Sequence, residues 1–342
     1  GLDENFQGQS WEFVSGGFQE MDIFGRPTAY NYAETAYRNG WLVDTSSFGL
    51  INTQYAVTHT EKLNLKATLK PIKGFRIDLT ANYNIASNNT SNLGVNGDDF
   101  EHLNQRFTGS FSRSIITWNT AFVRDLGDNS DDLQNITFDN LRAIRPEVSH
   151  LIAGTNAHSD TASAENNYAG GYNGAQQDVV IGAFLAAYTG QNVNEKNINP
   201  FRKMPLPNWR ISYDGLSKIK WVKKYVKTLS FTHAYRSNFN MGNYTTNLGF
   251  ESDQLGATEL DMAGNFISEK QILNVAITEQ FQPLLGANLT LKNGVKGKLE
   301  IKKDRNIALS LSNNQITEIK GSELVIGSGY IFKKLQLPFK FN

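Results

Sequence analysis

The segment KLNLKATLKPIKGFRIDLTANYNI, residues 62–85, contains two stretches in which apolar and polar residues alternate strictly. Side chains of a β-strand point alternately to opposite faces, so each stretch predicts a strand with one apolar and one polar face. The tetrad Pro71-Ile72-Lys73-Gly74 separates the stretches and predicts the turn of a hairpin. The apolar face of this hairpin contacts either a protein core or lipid, and the alternation alone does not distinguish the two.

The composition limits the classes of function. The 342 residues contain 33 lysines and arginines and 33 aspartates and glutamates, so the net charge is zero and we expect no nucleic-acid partner. The sequence has no cysteine, which excludes disulfides, thiolate metal sites and a cysteine nucleophile. The longest apolar run, residues 179–188, is shorter than the roughly 20 residues that a membrane-spanning helix needs. A membrane protein built from strands is compatible with this composition, because only every second strand residue faces lipid.

The sequence divides into four regions by pattern. We predict strands and loops over residues 1–60, strands over 61–125, an insertion of helices and loops over 126–204, and strands again over 205–342. Within the insertion, DVVIGAFLAAYTG (178–190) predicts a helix that Asp178 caps and Gly190 ends. The polar segment 87–104 predicts a loop, and a change of parity within 105–125 predicts a bulge or two short strands.

The last region predicts several strands and one tight turn. Asn293-Gly294 is typical of a two-residue hairpin turn. The predicted strands cover residues 208–213, 228–241, 271–291 (two strands, or one broken at Pro283), 294–303, 305–313, 323–332 and 335–341.

Strand length and turn asymmetry favour lipid over a soluble core. The predicted strands are roughly 9–11 residues long, which is the length that crosses a bilayer at a tilt. Some turns are very short and other connections are long and polar, as in outer-membrane barrels. We therefore predict an all-β membrane barrel with a helical insertion; a soluble β-sandwich is the alternative. The predicted lipid-facing residues are Leu63, Leu65, Leu69, Phe75, Ile77, Leu79 and Tyr83, and the predicted lumen-facing residues are Lys66, Arg76 and Asp78.

No motif for catalysis is present in the sequence. It contains no H-E-x-x-H, Walker A or G-x-S-x-G pattern, its five histidines are scattered, and the acidic run 125–132 lacks the glycine of a calcium-binding EF-hand loop. We expect no enzymatic activity, no metal and no cofactor. The lysine-rich segment 215–228 places Trp221 and Tyr225 among five lysines, which fits either an anchor at a membrane interface or a solvated turn.

The most distinctive segments are PLPNWRISYDGLSK (205–218) and FTHAYRSNFNMGNY (231–244). They resemble the SprA/Sov family, the giant outer-membrane translocons of the type 9 secretion system in Bacteroidota. DVVIGAFLAAYTG, NGWLVDTSSFGLINTQY (39–55) and the hairpin at 62–85 are also similar to that family. The residues that carry the resemblance are Pro205, Pro207, Asn208, Trp209, Arg210, Tyr213, Asp214, Gly215, His233, Tyr235 and Arg236.

The resemblance implies that the chain is a fragment of a very large transmembrane antiparallel β-barrel in the bacterial outer membrane. The implied function is a protein-conducting pore that exports folded cargo proteins and is associated with gliding motility. The implied partners are secreted cargo, a PorV-like outer-membrane barrel, a periplasmic plug protein, other segments of the same barrel and the lipid bilayer. The helical insertion is expected to narrow the lumen or cap one end. A large outer-membrane transporter or porin-like barrel, and a soluble surface adhesin built as a β-sandwich, remain as alternatives.

Overall fold

The computed structural model describes residues 50–96, 99–123, 135–160 and 167–332. These residues form a long antiparallel sheet with a helical layer over one part of one face. Predictions for residues 1–49, for the acidic run 125–132 and for the strand at 335–341 lie outside the described residues.

The strands differ greatly in length. The long ones are β1 (Leu50–Leu69), β2 (Phe75–Asn96), β3 (Asp99–Ser114), β5 (Val226–Thr246), β9 (Asn274–Leu291), β10 (Val295–Ser310) and β11 (Gln315–Tyr330). The short ones are β4 (Asn208–Tyr213), β6 (Ser252–Asp253), β7 (Gly256–Ala257) and β8 (Lys270–Ile272). The helices are α1 (Ile136–Ala153), α2 (Gln177–Thr189), α3 (Glu195–Ile198) and α4 (Lys220–Tyr225), with 3₁₀ turns at Trp118–Thr120 and Gly215–Lys218.

The main sheet has the strand order β1-β2-β3-β5-β9-β10-β11 and every pairing in it is antiparallel. The position between β2 and β5 in this order is occupied by two strands, β3 and β4. β3 pairs with the part of β2 from Tyr83 to Asn96, and β4 pairs with the part from Phe75 to Thr80. Both also pair with β5. β3 and β4 therefore form one split strand, and the chain between them, residues 115–207, is inserted at the split.

The hairpin predicted at residues 62–85 is confirmed. Leu63 pairs with Tyr83 and Leu69 with Ile77, and the amide of Phe75 donates to the carbonyl of Ile72 at 3.1 Å to close the turn. The expected strand length is wrong, since the long strands contain 16 to 22 residues. The loop predicted at 87–104 is also wrong, because β2 and β3 occupy most of it. The change of parity within 105–125 marks the end of β3 at Ser114 and the following 3₁₀ turn.

The position of the turn at Asn293-Gly294 is confirmed, but the connection contains three residues, 292–294, instead of the predicted two. Gly294 has a φ of +96°, which a residue without a Cβ adopts without strain, and its amide donates to the carbonyl of Leu291 at 3.2 Å. The two strands predicted at 294–303 and 305–313 are one strand, β10, because Asp304 and Arg305 pair on both sides within the ladder.

The insertion contains helices, as predicted. α2 is apolar on all sides, and residues 179–189 are all buried, as expected of a helix in a protein core. The side chain of Gln176, rather than Asp178, caps its start, accepting from the amides of Asp178 and Val179. Gly190 ends it in the left-handed conformation, with a φ of +64°. None of the helices among the described residues is long and apolar enough to cross a membrane.

Candidate functional site: the open apolar face of the sheet

Strand pairing assigns the side chains of the sheet to two faces, because directly paired residues point to the same side. One face, called here the apolar face, carries Leu63 and Leu65 on β1 and Phe75, Ile77 and Leu79 on β2. The opposite polar face carries Lys66, Arg76 and Asp78, and their contact with a lumen stays a prediction. On the polar face Thr68 Oγ1 donates to Asp78 at 2.6 Å and Arg76 pairs with Asp78 at 2.8 Å.

Two rows of paired residues, each running across the strands, define an upper and a lower level on the apolar face. The aromatic row consists of Leu79, Trp209, Tyr235, Phe281 and Lys303. The lower row, four positions away along each of β2, β4, β5 and β10, consists of Phe75, Tyr213, Phe231, Ala287 and Leu299. The lower row lies nearer to the turns at 71–74 and 292–294, so these turns mark the lower end of the sheet.

Above the aromatic row, the helical insertion covers the apolar face. Tyr83, Phe111, Phe239, Ile277 and Ile307 are buried there in one core cluster with the residues of α2. The Tyr83 ring meets Phe111 edge-on at 5.5 Å between centroids and is 3% exposed. Tyr83 thus lies inside the protein core, and its predicted contact with lipid is wrong.

Every sheet residue in that core cluster lies on the apolar face. The described helices of the insertion therefore pack against the face opposite to Lys66, Arg76 and Asp78. The expectation that the insertion narrows the space beside the polar face is wrong for the described residues. Capping of one end of a barrel is not tested by this packing.

Below the aromatic row the apolar face is open. Its large apolar side chains are strongly exposed, with Leu299 at 42%, Leu285 at 50% and Ile326 at 74% of their surface. Leu65 and Leu69 are also exposed, whereas Ile77, Leu79 and Phe75 are partly covered by their neighbours in the sheet. A soluble protein rarely exposes a contiguous apolar surface of this kind without a partner for it.

The open part has a defined length on four strands. From the aromatic row to the lower end, it runs from Phe281 to Leu291 on β9 and from Lys303 to Val295 on β10. It runs from Tyr235 to Val226 on β5 and from Ser322 to Tyr330 on β11. These stretches contain roughly 9–11 residues, the length that crosses a bilayer at a tilt. On β2 the open part is shorter, because Ala81 and Tyr83 are already buried.

The lower end of the sheet is staggered. β2 begins at Phe75, in the row of Leu299, whereas β10 begins at Val295, four positions lower. Four residues correspond to about 14 Å along a strand, and the four strand spacings from β2 to β10 correspond to about 19 Å across the sheet. A line through the two lower turns is therefore inclined by about 36° to the direction perpendicular to the strands. If this line lies parallel to a membrane surface, the strands are tilted by the same angle from the membrane normal. That angle is close to the strand tilt of about 35–45° in membrane barrels.

An aromatic cluster lies where the open and covered parts meet. Trp118, from the first turn of the insertion, contacts Trp209, Tyr235 and Phe281 with ring centroids 5.2–5.7 Å apart. Phe122 lies 5.2 Å from Phe281. Trp209 stacks on Tyr235 at 4.4 Å, and His233 meets Trp118 edge-on. Trp118 and Phe122 nevertheless remain 36% and 42% exposed, so this cluster has an outer surface.

A buried polar network attaches the insertion to the sheet directly above the aromatic row. Glu279 on β9 and Arg305 on β10 form an ion pair at 3.0 Å, with side chains 1% and 6% exposed. Thr117 Oγ1 and the Tyr235 hydroxyl both donate to Glu279 Oε1. Arg305 donates to the carbonyl and hydroxyl of Thr120, each at 2.9 Å. The network thereby fixes the segment that carries Trp118.

The other predicted residues lie around the split strand and at the lower end. Asn208 is buried and accepts from the amide of Ser237 at 2.8 Å, Pro205 is buried before β4, and Pro207 is exposed. Asp214 follows β4, where its amide donates to the carbonyl of Gly74 at 2.8 Å, and Gly215 begins the next turn. Arg210 and Arg236 lie on the polar face. Trp221 and Tyr225, in α4 at the lower end, are 73% and 64% exposed.

No protein-family model matches this sequence, and no curated protein matches it. Among the described residues, no group of three or more histidine, aspartate and glutamate side chains is placed to hold a metal ion. The arrangement of the open apolar face, its aromatic border and the polar face behind it therefore carries the functional argument. The sequence did not assign Trp118 and Phe122 to the aromatic border. Both residues lie in the stretch 105–125, where the apolar positions change parity.

Proposed function

We propose that the sheet is part of the wall of a large transmembrane β-barrel in the bacterial outer membrane, with lipid on its apolar face and a water-filled lumen on its polar face. The observation that carries this proposal is the open apolar face of roughly 9–11 residues per strand, backed by a polar face. The inclination of the lower end by about 36° supports it independently, because closing a sheet into a barrel requires tilted strands.

The described sheet has two edges, β1 and β11, each with one strand neighbour in the described part of the chain. Open edges cannot face lipid, because their backbone groups would lack hydrogen-bond partners. The wall is therefore completed by further strands, which fits the proposal that this chain is a fragment of a much larger barrel. The turns at 71–74 and 292–294 are short, like the periplasmic turns of such barrels, and the long insertion leaves the sheet at the split between β3 and β4.

Within this class, we propose a translocon that conducts folded cargo proteins, on the strength of the resemblance carried by residues 205–218 and 231–244. Cargo passes through the lumen, and the wall makes and breaks no covalent bond. The proposed partners are secreted cargo, a PorV-like barrel, a periplasmic plug protein and the remaining strands of the wall. Lysines and arginines on the polar face, including Lys66, Arg76 and Lys298, would keep the lumen hydrated during passage.

Site-specific photocrosslinking in cells tests this proposal. A crosslinking amino acid at Lys66 or Lys298, on the polar face, should capture cargo during secretion. The matched positions Leu65 and Leu299, one residue away on the apolar face, should capture no cargo. Capture of cargo from the apolar positions alone, or from neither face in a secreting cell, would reject a cargo-conducting lumen on the polar side.

A further inference from the structure

The helical insertion and the open apolar face share one side of the sheet. If the open part contacts lipid, the insertion lies on the outer, lipid-facing side of the wall. A helical domain with polar loops cannot enter the hydrocarbon region, since its loop backbone would lose its hydrogen bonds with water. The bilayer must therefore end where the insertion begins, at the aromatic row. This step rests on the proposed function.

The residues at that border have the chemistry of a membrane interface. Trp118 and Phe122 form the underside of the insertion, and both remain partly exposed beside the open face. Lys303 Nζ lies 5.2 Å from the centre of the Phe122 ring, which places a cation at the same level. Aromatic side chains with a nearby lysine favour the headgroup level of a bilayer, where rings meet acyl chains and the ammonium group meets water and phosphate.

A second aromatic border lies at the lower end, where Trp221, Tyr225, Tyr330 and Phe332 are strongly exposed. On β10 the two borders are separated by the eight positions from Lys303 to Val295, about 27 Å along the strand. At an inclination of about 36° this corresponds to a height of about 22 Å, close to the apolar band of about 25 Å in membrane barrels. On β10, the separation of the two borders therefore fits the thickness of one bilayer.

We infer that the underside of the insertion, formed by Trp118 and Phe122 with Lys303 beside them, binds the headgroup level of the bilayer. The insertion acts as a projection on the outer side of the barrel wall, called here the shoulder. It fixes the depth of the barrel in the bilayer. The polar network of Glu279 and Arg305 with Thr117 and Thr120 holds this underside rigidly against the strands. The shoulder leaves the lumen side of the wall free for passage.

Depth-dependent fluorescence quenching tests this inference on the complete barrel in liposomes, with one added cysteine as the site of a fluorophore. This chain contributes no cysteine of its own. The three positions are Phe122 at the border, Leu299 in the middle of the open face, and exposed Lys196 on α3 of the insertion. Each is measured with lipids that carry a nitroxide on the headgroup or deep in the acyl chain.

We expect the label at Phe122 to be quenched more strongly by the headgroup nitroxide, the label at Leu299 by the deep nitroxide, and the label at Lys196 by neither. Deep quenching at Leu299 without headgroup quenching at Phe122 would overturn the shoulder while leaving the membrane wall intact. Strong deep quenching at Lys196 would also overturn it. Absence of quenching at Leu299 by both lipids would instead reject the membrane wall itself. Phe122→Leu, which keeps an apolar side chain, serves as a folding control for Phe122→Cys.

Discussion

Ser114 and Leu206, which are 92 positions apart, are joined by two hydrogen bonds at the split between β3 and β4. The amide of Leu206 donates to the carbonyl of Ser114 at 2.9 Å, and Ser114 Oγ donates to the carbonyl of Leu206 at 2.6 Å. Ser114 Oγ also accepts from the amide of Asn82 at 3.0 Å. The two ends of the insertion therefore meet on the strand that they interrupt, and one buried hydroxyl satisfies the backbone groups exposed by the split.

Ser114→Ala should lower the free energy of unfolding by about 1–3 kcal/mol, because it leaves the part-buried amide of Asn82 and carbonyl of Leu206 without this partner. Chemical denaturation of the reconstituted protein measures the loss. Ser112→Ala, two positions earlier and on the polar face, is the matched control and should change stability by no more than about 0.5 kcal/mol. Equal losses in both variants would show that the Ser114 hydroxyl does not hold the split together.

Leu299→Lys places a charge in the middle of the open apolar face. If that face contacts lipid, the substitution should cost about 2–4 kcal/mol of folding stability in liposomes. Val325→Lys on the neighbouring strand is the control, because it introduces the same charge on the polar face, opposite Glu300. A Leu299→Lys variant as stable as Val325→Lys would contradict the lipid-facing assignment.

The ion pair of Glu279 and Arg305 offers a double-mutant test of the network under the insertion. Arg305→Met alone should cost about 3–5 kcal/mol, since it leaves the buried charge of Glu279 unpaired. Glu279→Leu should cost less, because Arg305 keeps Glu318 at 3.7 Å. The combined variant should cost less than the sum of the two, because neither charge then remains. Fluorescence of Trp118, read in a variant without the other tryptophans, should report loosening in the single variants. Strict additivity of the two losses would mean that the pair is not coupled.

Acid should loosen the contact between the insertion and the β6–β7 hairpin. His158 Nε2 lies 2.9 Å from Asp253, and the amides of Leu255 and Gly256 donate to the same carboxylate. The contact with His158, followed by the backbone hydrogen bonds, holds the pKa of Asp253 below its ordinary value of 3.8. The stabilisation is therefore present above 3.8 and is lost as the pH falls through the lower folded-state pKa.

Hydrogen exchange at the amides of Leu255 and Gly256 measures this loss. Protection in the native protein should decline once the pH falls below 3.8, after correction for intrinsic exchange rates. Asp253→Asn should remove the acid-dependent step, because the amide does not titrate over that range. An identical acid-dependent step in Asp253→Asn would assign the effect to another group.

Local alternation predicted the hairpins but not the extent of the strands. Leu63 to Leu69 and Phe75 to Ile85 alternate because one face is apolar throughout that stretch. Beyond it, residues 87–96 are mostly polar, and they continue β2 through pairing with β1 and β3 on its two sides. The polar composition of this stretch gives no alternation from which that pairing could be predicted. The prediction of roughly 9–11 residues matches the open part of β5, β9, β10 and β11, but not the covered extensions above it.

The position of the insertion could not be predicted from the sequence. The apolar pattern of α2 predicts a buried helix, but it does not specify which face of the sheet buries it. Arg305 illustrates the same limit, since the polar run from Asp304 to Asn306 is typical of a turn. In the fold, Glu279 from the neighbouring strand neutralises Arg305 and keeps the ladder continuous. Such long-range compensation is visible only once the strands are paired.

The junction at Ser114 and Leu206 has a consequence for how such a wall can change. Because both ends of the insertion leave from one point on the sheet, strand register does not depend on what lies between them. A different domain could be grafted there, provided that its own ends lie a few ångströms apart, and closing the loop would add little entropic cost as its length grows. The apolar face of the sheet is thus a place where new modules can be exchanged while the strands beneath them stay in register.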